Sequence, residues 1–158
     1  MNDGEHGPEG TPEGTLPRRE RTRILVEGDP GLRRALANEV REAYATHESP
    51  AVRGMAMIDL RESAKRTRFL MGEVLMHEAT ARVAGTLGRG MIRGDDPAAA
   101  RDLAVVDAAL RAGVPQTATW TSRLRAESAR LAAHRAAEVA VLRRTQVRFD
   151  VMQEEDGA

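Results

Sequence analysis

The spacing of hydrophobic residues changes twice along the chain, and this change restricts the folds that it can adopt. Residues 17–44 and 97–145 place apolar side chains every three or four positions, which is the period of a helix. Residues 52–61 alternate apolar and polar positions instead, which predicts a strand with one apolar face. We therefore predict an α+β fold in which helices precede and follow a small sheet.

Capping residues divide the helical segments into four predicted helices. The first runs from Pro17 to Gly28, and Asp29-Pro30 begins the second, so that the two form an N-terminal helical hairpin. Residues 94–97 begin the third helix, because Asp caps free backbone amides and Pro fits the first helical position. Gly113 ends this capped helix, and a long C-terminal helix is predicted from about residue 118 to residue 145.

The middle of the chain contains two more predicted strands. Residues 73–83 alternate again, with Leu75, Ala79 and Val83 on one side. Residues 85–88 predict a turn into a third, short strand near Met91-Ile92. The three strands together predict a small antiparallel β-meander.

Two carboxylates fall on or beside apolar helix faces. Asp107 borders the apolar face of the third helix, and Glu138 lies inside an apolar stripe of the last helix. That stripe consists of Trp120, Leu124, Leu131 and Leu142. A charge in such a place requires a partner. Local pairs with Arg111 and with Arg135 are favoured over a site shared with another subunit, because helical pairs at short spacing are common.

The size of the chain and its few aromatic residues bear on stability. A chain of 158 residues has the length of one domain, and residues 1–16, rich in Gly and Pro, predict a disordered tail before a single domain over residues 17–158. The only aromatic residues are Tyr44, Phe69, Trp120 and Phe149. Because a core of small aliphatic residues has few anchors against chain entropy, we expect partner subunits to contribute to stability.

The composition excludes several kinds of chemistry. The chain has no cysteine, so it has no disulfide, no thiol nucleophile and no thiolate ligand for an iron-sulfur cluster. Its formal net charge is +0, which argues against a nucleic-acid partner for the chain as a whole. No run approaches the roughly 20 apolar residues of a membrane span, and the acidic N-terminus differs from a signal peptide, so we predict a cytoplasmic protein that does not enter the membrane.

The chain also lacks a recognisable catalytic constellation. Residues 88–94 are rich in glycine but match neither the dinucleotide fingerprint nor the P-loop. Asp95 and Asp96 at the next helix start would repel an anion, so a turn and a helix cap are favoured. His77-Glu78 lacks the second His of a zinc-protease helix, and the serines stand outside any nucleophile motif. We therefore predict no catalytic residue and no metal site.

The order of several short motifs is more specific than any one of them. They are Phe69-Leu70-Met71-Gly72-Glu73-Val74-Leu75, then Glu78-Ala79, residues 88–96, residues 104–108 and a closing Val147-Arg148-Phe149-Asp150-Val151-Met152. With these motifs in this order, the chain resembles the PhnG family from roughly Arg21 to Met152. It departs from the family pattern in its acidic N-terminal tail, at Arg89, where a larger apolar or aromatic residue is expected, and at Val151, where Thr is expected.

The resemblance implies a role in the use of organic phosphonates. PhnG-like chains assemble with PhnH, PhnI and PhnJ into the core of the carbon-phosphorus lyase complex, and PhnK and PhnL associate with that core. In the first step a phosphonate displaces adenine from ATP to give ribose 1-phosphonate 5-triphosphate, and PhnJ later breaks the carbon-phosphorus bond on an iron-sulfur cluster. The resemblance thus implies an accessory subunit without a cofactor of its own, with ATP as a substrate and the cluster on partner subunits.

Six residues are candidate structural or interface positions, and we assign none of them a role as an acid or base. They are Gly72, Glu73, Gly94, Asp95, Asp107 and Glu138. Two alternatives stay open. Two helices before a meander also fit a winged-helix DNA-binding regulator, with four arginines near the phosphates, namely Arg18, Arg19, Arg21 and Arg23. The alanine-rich side of the last helix fits either a stand-alone homodimer or a surface that faces water.

Overall fold

The computed structural model describes residues 16–144, and these confirm the predicted α+β class. The elements are α1 (Arg18–Glu27), α2 (Pro30–Ala43), β1 (Thr46–Glu48), β2 (Val52–Arg61), β3 (Arg68–Val83), β4 (Thr86–Arg93), α3 (Pro97–Ala112), a 3-10 turn (Pro115–Thr119) and α4 (Trp120–Arg144). Residues 1–15 of the predicted tail and the closing motif at residues 147–152 lie outside the described residues. Leu16, the last residue of that predicted tail, is buried in the core.

The sheet is organised around β3, which pairs antiparallel with each of the other three strands. Residues 81–83 pair with both β1 and β4, and residues 76–78 pair with both β2 and β4, so β1 and β2 lie one after the other along the same edge of β3. The meander of β2, β3 and β4 confirms the prediction. β1 was not predicted, because three residues are too few to show an alternation.

Two details of the predicted meander are wrong. The turn before β4 is the two-residue pair Ala84-Gly85, since Val83 already pairs with Thr86 and Gly88 lies within β4 opposite Ala81. In addition, β3 begins at Arg68 instead of residue 73. Its register shifts at a bulge near Met71, where one extra residue breaks the two-residue period by which a strand is recognised.

The predicted caps are confirmed at both helices that begin with proline. The Asp29 carboxylate accepts a hydrogen bond of 2.9 Å from the Gly31 amide, and the Asp96 carboxylate accepts one of 2.8 Å from the Ala99 amide. Each bond satisfies a backbone donor that has no partner within the first helical turn. Gly113 ends α3 in the left-handed conformation, as its position predicts.

Close packing of α3 on β4 creates the core. A Cβ atom on Gly90 would lie 2.0 Å from the Ala100 carbonyl oxygen, and one on Gly88 would lie 2.2 Å from the Ala108 backbone nitrogen. The two glycines therefore let the helix approach the strand to backbone contact. On another side α3 contacts α2, so it is buried along most of its length.

The last helix packs along only its first half. Trp120, Leu124 and Leu131 are buried, whereas Leu142 is exposed, so the predicted stripe extends too far toward the C-terminus. Between residues 132 and 144, every side chain is exposed except that of Arg135, which is half-buried. This end of α4 lies beyond the residues that form the core.

Candidate functional site

A two-stranded ribbon, residues 55–75, projects past the end of β4. It consists of β2 from Met55 onward, the turn at residues 62–67 and β3 as far as Leu75. β4 pairs with β3 only from Met76 onward, so over this length the two ribbon strands pair with each other and with no other described strand. A two-stranded ribbon with no further strand or covering helix is only marginally stable in water.

Large apolar side chains on the ribbon are exposed. Their exposed fractions run from 40% for Leu60 to 70% for Met57. The set is Met55, Met57, Leu60, Phe69, Leu70 and Met71. So many large apolar side chains exposed on one short element are unusual on a protein that works alone and are typical of a surface that contacts another protein. The three methionines add side chains that can adapt to a partner's shape.

Both faces of the ribbon contribute to this group. Cross-strand partners lie on the same face of a sheet, and the pair Leu60–Phe69 lies on the opposite face from the pair Met55–Leu75. The sequence predicted one apolar face for β2, whereas large apolar side chains are exposed on both faces of the ribbon. They are exposed because α3 covers β4 and the second half of β3 but leaves β2 outside the core.

The ribbon also has free backbone edges. Among the described strands, β2 pairs only with β3, so the hydrogen-bonding groups on its outer edge have no strand partner. Open edges are sites where a strand from another chain can add to a sheet. The ribbon thus has both exposed apolar side chains and an open strand edge with which a strand of a second chain can pair.

Two of the six candidate residues lie on the ribbon. Gly72 stands at the bulge, with a φ of 154°, opposite Ile58. Glu73 is exposed and pairs in register with Met57. The structure therefore places both at the projecting surface, and their contact with a partner stays a prediction.

Gly94 and Asp95 close the base of the ribbon. The Gly94 amide donates a 2.9 Å hydrogen bond to the Leu75 carbonyl, and the Gly94 carbonyl accepts one of 2.9 Å from Nδ1 of the buried His77. The other ring nitrogen of His77 lies 3.6 Å from the Asp95 carboxylate. These contacts fasten the end of β4 to β3 where the ribbon leaves the sheet.

Asp107 lies at a different place, between α1 and β4. Its carboxylate is 3.3 Å from the Arg18 guanidinium and accepts a 3.1 Å hydrogen bond from the Arg89 amide. The predicted pair with Arg111 is wrong, because Arg111 donates instead to the Leu87 carbonyl at 2.7 Å. Asp107 faces the strand, and tertiary partners replace the local one.

Glu138 lies on the exposed end of α4, away from the sheet. Its carboxylate is 3.6 Å from Nδ1 of His134. The predicted pair with Arg135 is wrong, because Arg135 forms an ion pair with Glu27 of α1. Since the carboxylate is exposed, it does not need the compensation that a buried charge requires.

Sequence reasoning missed the buried carboxylate of Glu127. It accepts a 2.7 Å hydrogen bond from the Asp29 amide and pairs with Arg130 at 2.6 Å. The hydrogen bond from Arg130 lowers the pKa of Glu127, against the opposing effect of burial and with help from the Asp29 amide. Its spacing of three from Leu124 and four from Leu131 was the signal that it shares their face.

A second ionic cluster that the sequence did not reveal lies on the other side of the domain. Arg41 donates two hydrogen bonds to Glu48, at 2.8 and 2.9 Å, and one of 2.8 Å to the buried Asp102. The bonds from Arg41 lower the pKa of Glu48. They also raise the pKa of Arg41 itself. Arg41 and Glu48 are therefore both held in their ionised forms, and the network links α2, β1 and α3.

Neither cluster has the make-up of a catalytic or metal site. Within residues 16–144, no group of three or more His, Cys, Asp or Glu residues is placed to hold a metal ion. The acids found there are paired with arginines that neutralise them, which is the arrangement of structural ion pairs.

Comparison with known proteins agrees with the order of motifs. The model of one protein family, described as "Phosphonate metabolism protein PhnG", matches residues 16–154, which is most of the chain. No curated protein matches the chain significantly. Nothing in the match or in the described residues points to the DNA-binding alternative. Of the helices over residues 16–144, none has the length and apolar character needed to cross a membrane. The chain belongs to the PhnG family of phosphonate metabolism proteins.

Proposed function

We propose that this chain is an accessory subunit of the carbon-phosphorus lyase complex in the cytoplasm. In that role it supports the step in which a phosphonate displaces adenine from ATP to give ribose 1-phosphonate 5-triphosphate. Its partners are PhnH, PhnI and PhnJ, with PhnK and PhnL associating. The chain itself contributes no catalytic residue and no cofactor, while ATP and an iron-sulfur cluster are bound by the partners.

The observation that supports this proposal most directly is the projecting apolar ribbon. Six large apolar side chains on one marginal two-stranded element cost free energy while they face water, at roughly 25 cal/mol per Å² of apolar surface. Burial against a partner removes that cost. Membership of a family with a role in phosphonate metabolism makes a subunit of the same pathway the natural partner.

Co-expression tests the docking part of the proposal. A tagged PhnI is purified after co-expression with PhnH, PhnJ and this chain, either wild type or carrying Leu70→Glu on the ribbon. We expect the wild-type chain to co-purify and the variant to be lost, since a buried charge without a partner is strongly unfavourable. Val141→Glu on α4 is a matched control, because Val141 is 60% exposed and Leu70 is 59% exposed. Equal recovery of the Leu70→Glu chain would contradict docking through the ribbon.

The same preparations test the accessory role. Formation of ribose 1-phosphonate 5-triphosphate from ATP and a phosphonate is measured, with PhnL added, for the wild-type assembly, for the assembly lacking this chain and for the purified chain alone. We expect activity only in the first. Undiminished formation without the chain would refute the supporting role, and formation by the chain alone would refute the assignment of catalysis to its partners.

A further inference from the structure

The ribbon tip, residues 59–68, has a concentration of basic side chains at the end of the projecting apolar surface. It contains four basic and two acidic side chains, and all of its residues are exposed. The two acidic side chains are engaged within the tip. The Asp59 carboxylate lies 2.9 Å from Nε of Arg68, and a Glu62 carboxylate oxygen accepts a 3.1 Å hydrogen bond from the Thr67 hydroxyl. The ribbon tip as a whole is therefore positively charged.

Three of the four basic side chains have no ion-pair partner among residues 16–144. They are Arg61, Lys65 and Arg66. An exposed cation is ordinarily satisfied by water, so the lack of a partner is not by itself a sign of binding. Two further features distinguish the ribbon tip from an ordinary solvated surface.

The first feature is a pair of like charges across the two strands. Arg61 and Arg68 are partners in register, and side chains so placed have Cβ atoms roughly 4.5–5.5 Å apart. Like charges directly opposite each other destabilise a strand pair, and the ion pair of Asp59 is with Arg68. A carboxylate of a second chain placed beside both guanidinium groups would relieve this repulsion.

The second feature is the backbone of Arg66, which has a φ of 56°. The turn is closed by a 2.9 Å hydrogen bond from the Glu62 amide to the Thr67 carbonyl, and Arg66 is the last residue inside it. Because the left-handed region favours Gly and Asn, an arginine here makes the ribbon less stable than a glycine would. The Arg66 side chain makes no hydrogen bond or ion pair within the described residues that offsets this strain. Its presence therefore points to a contact outside the chain.

A protein surface fits the ribbon tip better than nucleic acid does. Leu70 lies on the same face as Arg61 and Arg68, and Leu60 and Phe69 lie on the other face, so exposed apolar side chains flank the charges on both faces. Protein interfaces combine an apolar centre with arginine, whereas nucleic-acid interfaces are more polar and much more positively charged.

We propose that the ribbon tip docks on an acidic surface of the protein subunit that receives the apolar ribbon. Arg61 and Arg68 pair with carboxylates of that subunit on one face, and Lys65 and Arg66 pair with them at the turn. The charges orient the ribbon, while its apolar side chains provide most of the buried surface. The inference rests on the proposed function, because it specifies the chemistry of the partner surface at the far end of the same ribbon.

Competition between two full-length chains for one assembly tests the proposal. Wild-type chain and one variant are expressed together with PhnH, PhnJ and a tagged PhnI, and the lysate is treated with nuclease. Mass spectrometry then compares the ratio of the two chains on PhnI with their ratio in the soluble lysate. We expect Arg61→Glu to be depleted about ten-fold or more, because it faces an acidic surface with a like charge. Arg143→Glu, on the exposed end of α4, changes the net charge equally and should not be depleted.

Two tip variants separate docking from folding. Arg61→Glu replaces the repulsion with Arg68 by an attraction, and Arg66→Gly removes the left-handed strain, so neither should lower the urea unfolding midpoint of the full-length chain. We nevertheless expect Arg66→Gly to be depleted about three-fold or more from PhnI, since it removes a contact with the partner. Depletion that occurs only together with a lowered midpoint would assign the effect to folding and overturn the role of the charges.

Leu70→Glu in the same competition separates this inference from docking of the ribbon itself. If Leu70→Glu is depleted while Arg61→Glu is recovered like wild type, the ribbon docks without an acidic surface, and this inference alone is overturned. If even the wild-type chain is not recovered on PhnI, docking fails and the inference fails with it. Equal depletion of Arg61→Glu and Arg143→Glu would reveal an effect of net charge and overturn the assignment to the ribbon tip.

Two other occupants give distinct results. Depletion of Arg61→Glu that is seen only when nuclease is omitted would make nucleic acid the ligand. Capture of an untagged copy of this chain by a tagged copy, without the other subunits and abolished by Arg61→Glu, would make the occupant a second copy. Either result overturns the assignment to an acidic surface of a different subunit.

Discussion

The two halves of β3 belong to one continuous strand and have opposite environments. From Met76 to Val83 the strand lies between neighbours on both edges, and its alternate side chains are buried under α3. From Arg68 to Leu75 it pairs with β2 alone, and large apolar side chains face water. The apolar content of a strand therefore does not decide its burial. The reach of α3 along the sheet decides it.

Burial of the covered half under α3 depends on two glycines in β4. The largest loss of stability is therefore expected from a substitution there. Gly90→Val should lower the free energy of unfolding by about 3 kcal/mol or more, because its Cβ would lie 2.0 Å from the Ala100 carbonyl and force α3 away from the sheet. Urea unfolding of the full-length chain measures this. Gly54→Val, where a Cβ meets nothing within 4 Å, is the matched control and should change the value by no more than about 0.5 kcal/mol.

The second prediction compares side chains in the two halves of the sheet. Val83→Ala in the covered half should cost roughly 1–3 kcal/mol in urea unfolding, because it removes methyl groups from a fully buried position. Met57→Ala on the ribbon should cost less than about 0.5 kcal/mol, since Met57 is mostly exposed. A comparable loss in both variants would mean that the ribbon is packed in the isolated chain, and the contrast between the two halves would fail.

Local signals predicted much of the covered half and did not reveal that the other half projects. The caps at Asp29 and Asp96 follow from residue types whose effect extends over three or four positions, so the sequence is sufficient to locate them. Burial of β2 depends on where α3 ends relative to the sheet. That is a tertiary relation, and an alternating pattern carries no information about it.

The candidate residues show the same limit. The motif that contains Gly72 and Glu73 was noticed in the sequence, but its place on a projecting ribbon follows from pairing with β2 and from the end of β4. Asp107 was assigned a helical partner because helical spacing is visible in a sequence, whereas its actual partners are 89 and 18 residues away along the chain. Distant pairs of this kind depend on the complete fold.

A third, smaller loss of stability is expected from a substitution where α4 joins the covered region. Arg130 and the Asp29 amide hold the pKa of Glu127 below its ordinary value of 4.5, so ionised Glu127 stabilises the fold above that pH. This contribution is lost as the pH falls through the lower, folded-state pKa. Glu127→Gln should lower the free energy of unfolding by about 1–2 kcal/mol at neutral pH and flatten its decline in acid. Urea unfolding at several pH values measures both.

Glu138→Gln on the exposed end of the same helix is the control for that change. Its carboxylate faces water beside His134, so we expect a change in the free energy of unfolding of less than about 0.5 kcal/mol and an unaltered acid profile. If the two glutamine variants behave alike, Glu127 does not couple α4 to the start of α2.

The smallest expected effect is the coupling energy between Asp107 and its ion-pair partner, Arg18. Its measurement tests whether tertiary contacts replace helical ones at the edge of the covered region. A double-mutant cycle with Asp107→Ala and Arg18→Ala, measured by urea unfolding, should give a coupling energy of about 0.5 kcal/mol, since the Arg18 side chain is largely exposed. A cycle of Asp107→Ala with Arg111→Ala should be additive, because Arg111 bonds to the Leu87 carbonyl. Stronger coupling to Arg111 than to Arg18 would restore the local pair, and Asp107 would then belong to α3 alone instead of joining it to α1 and β4.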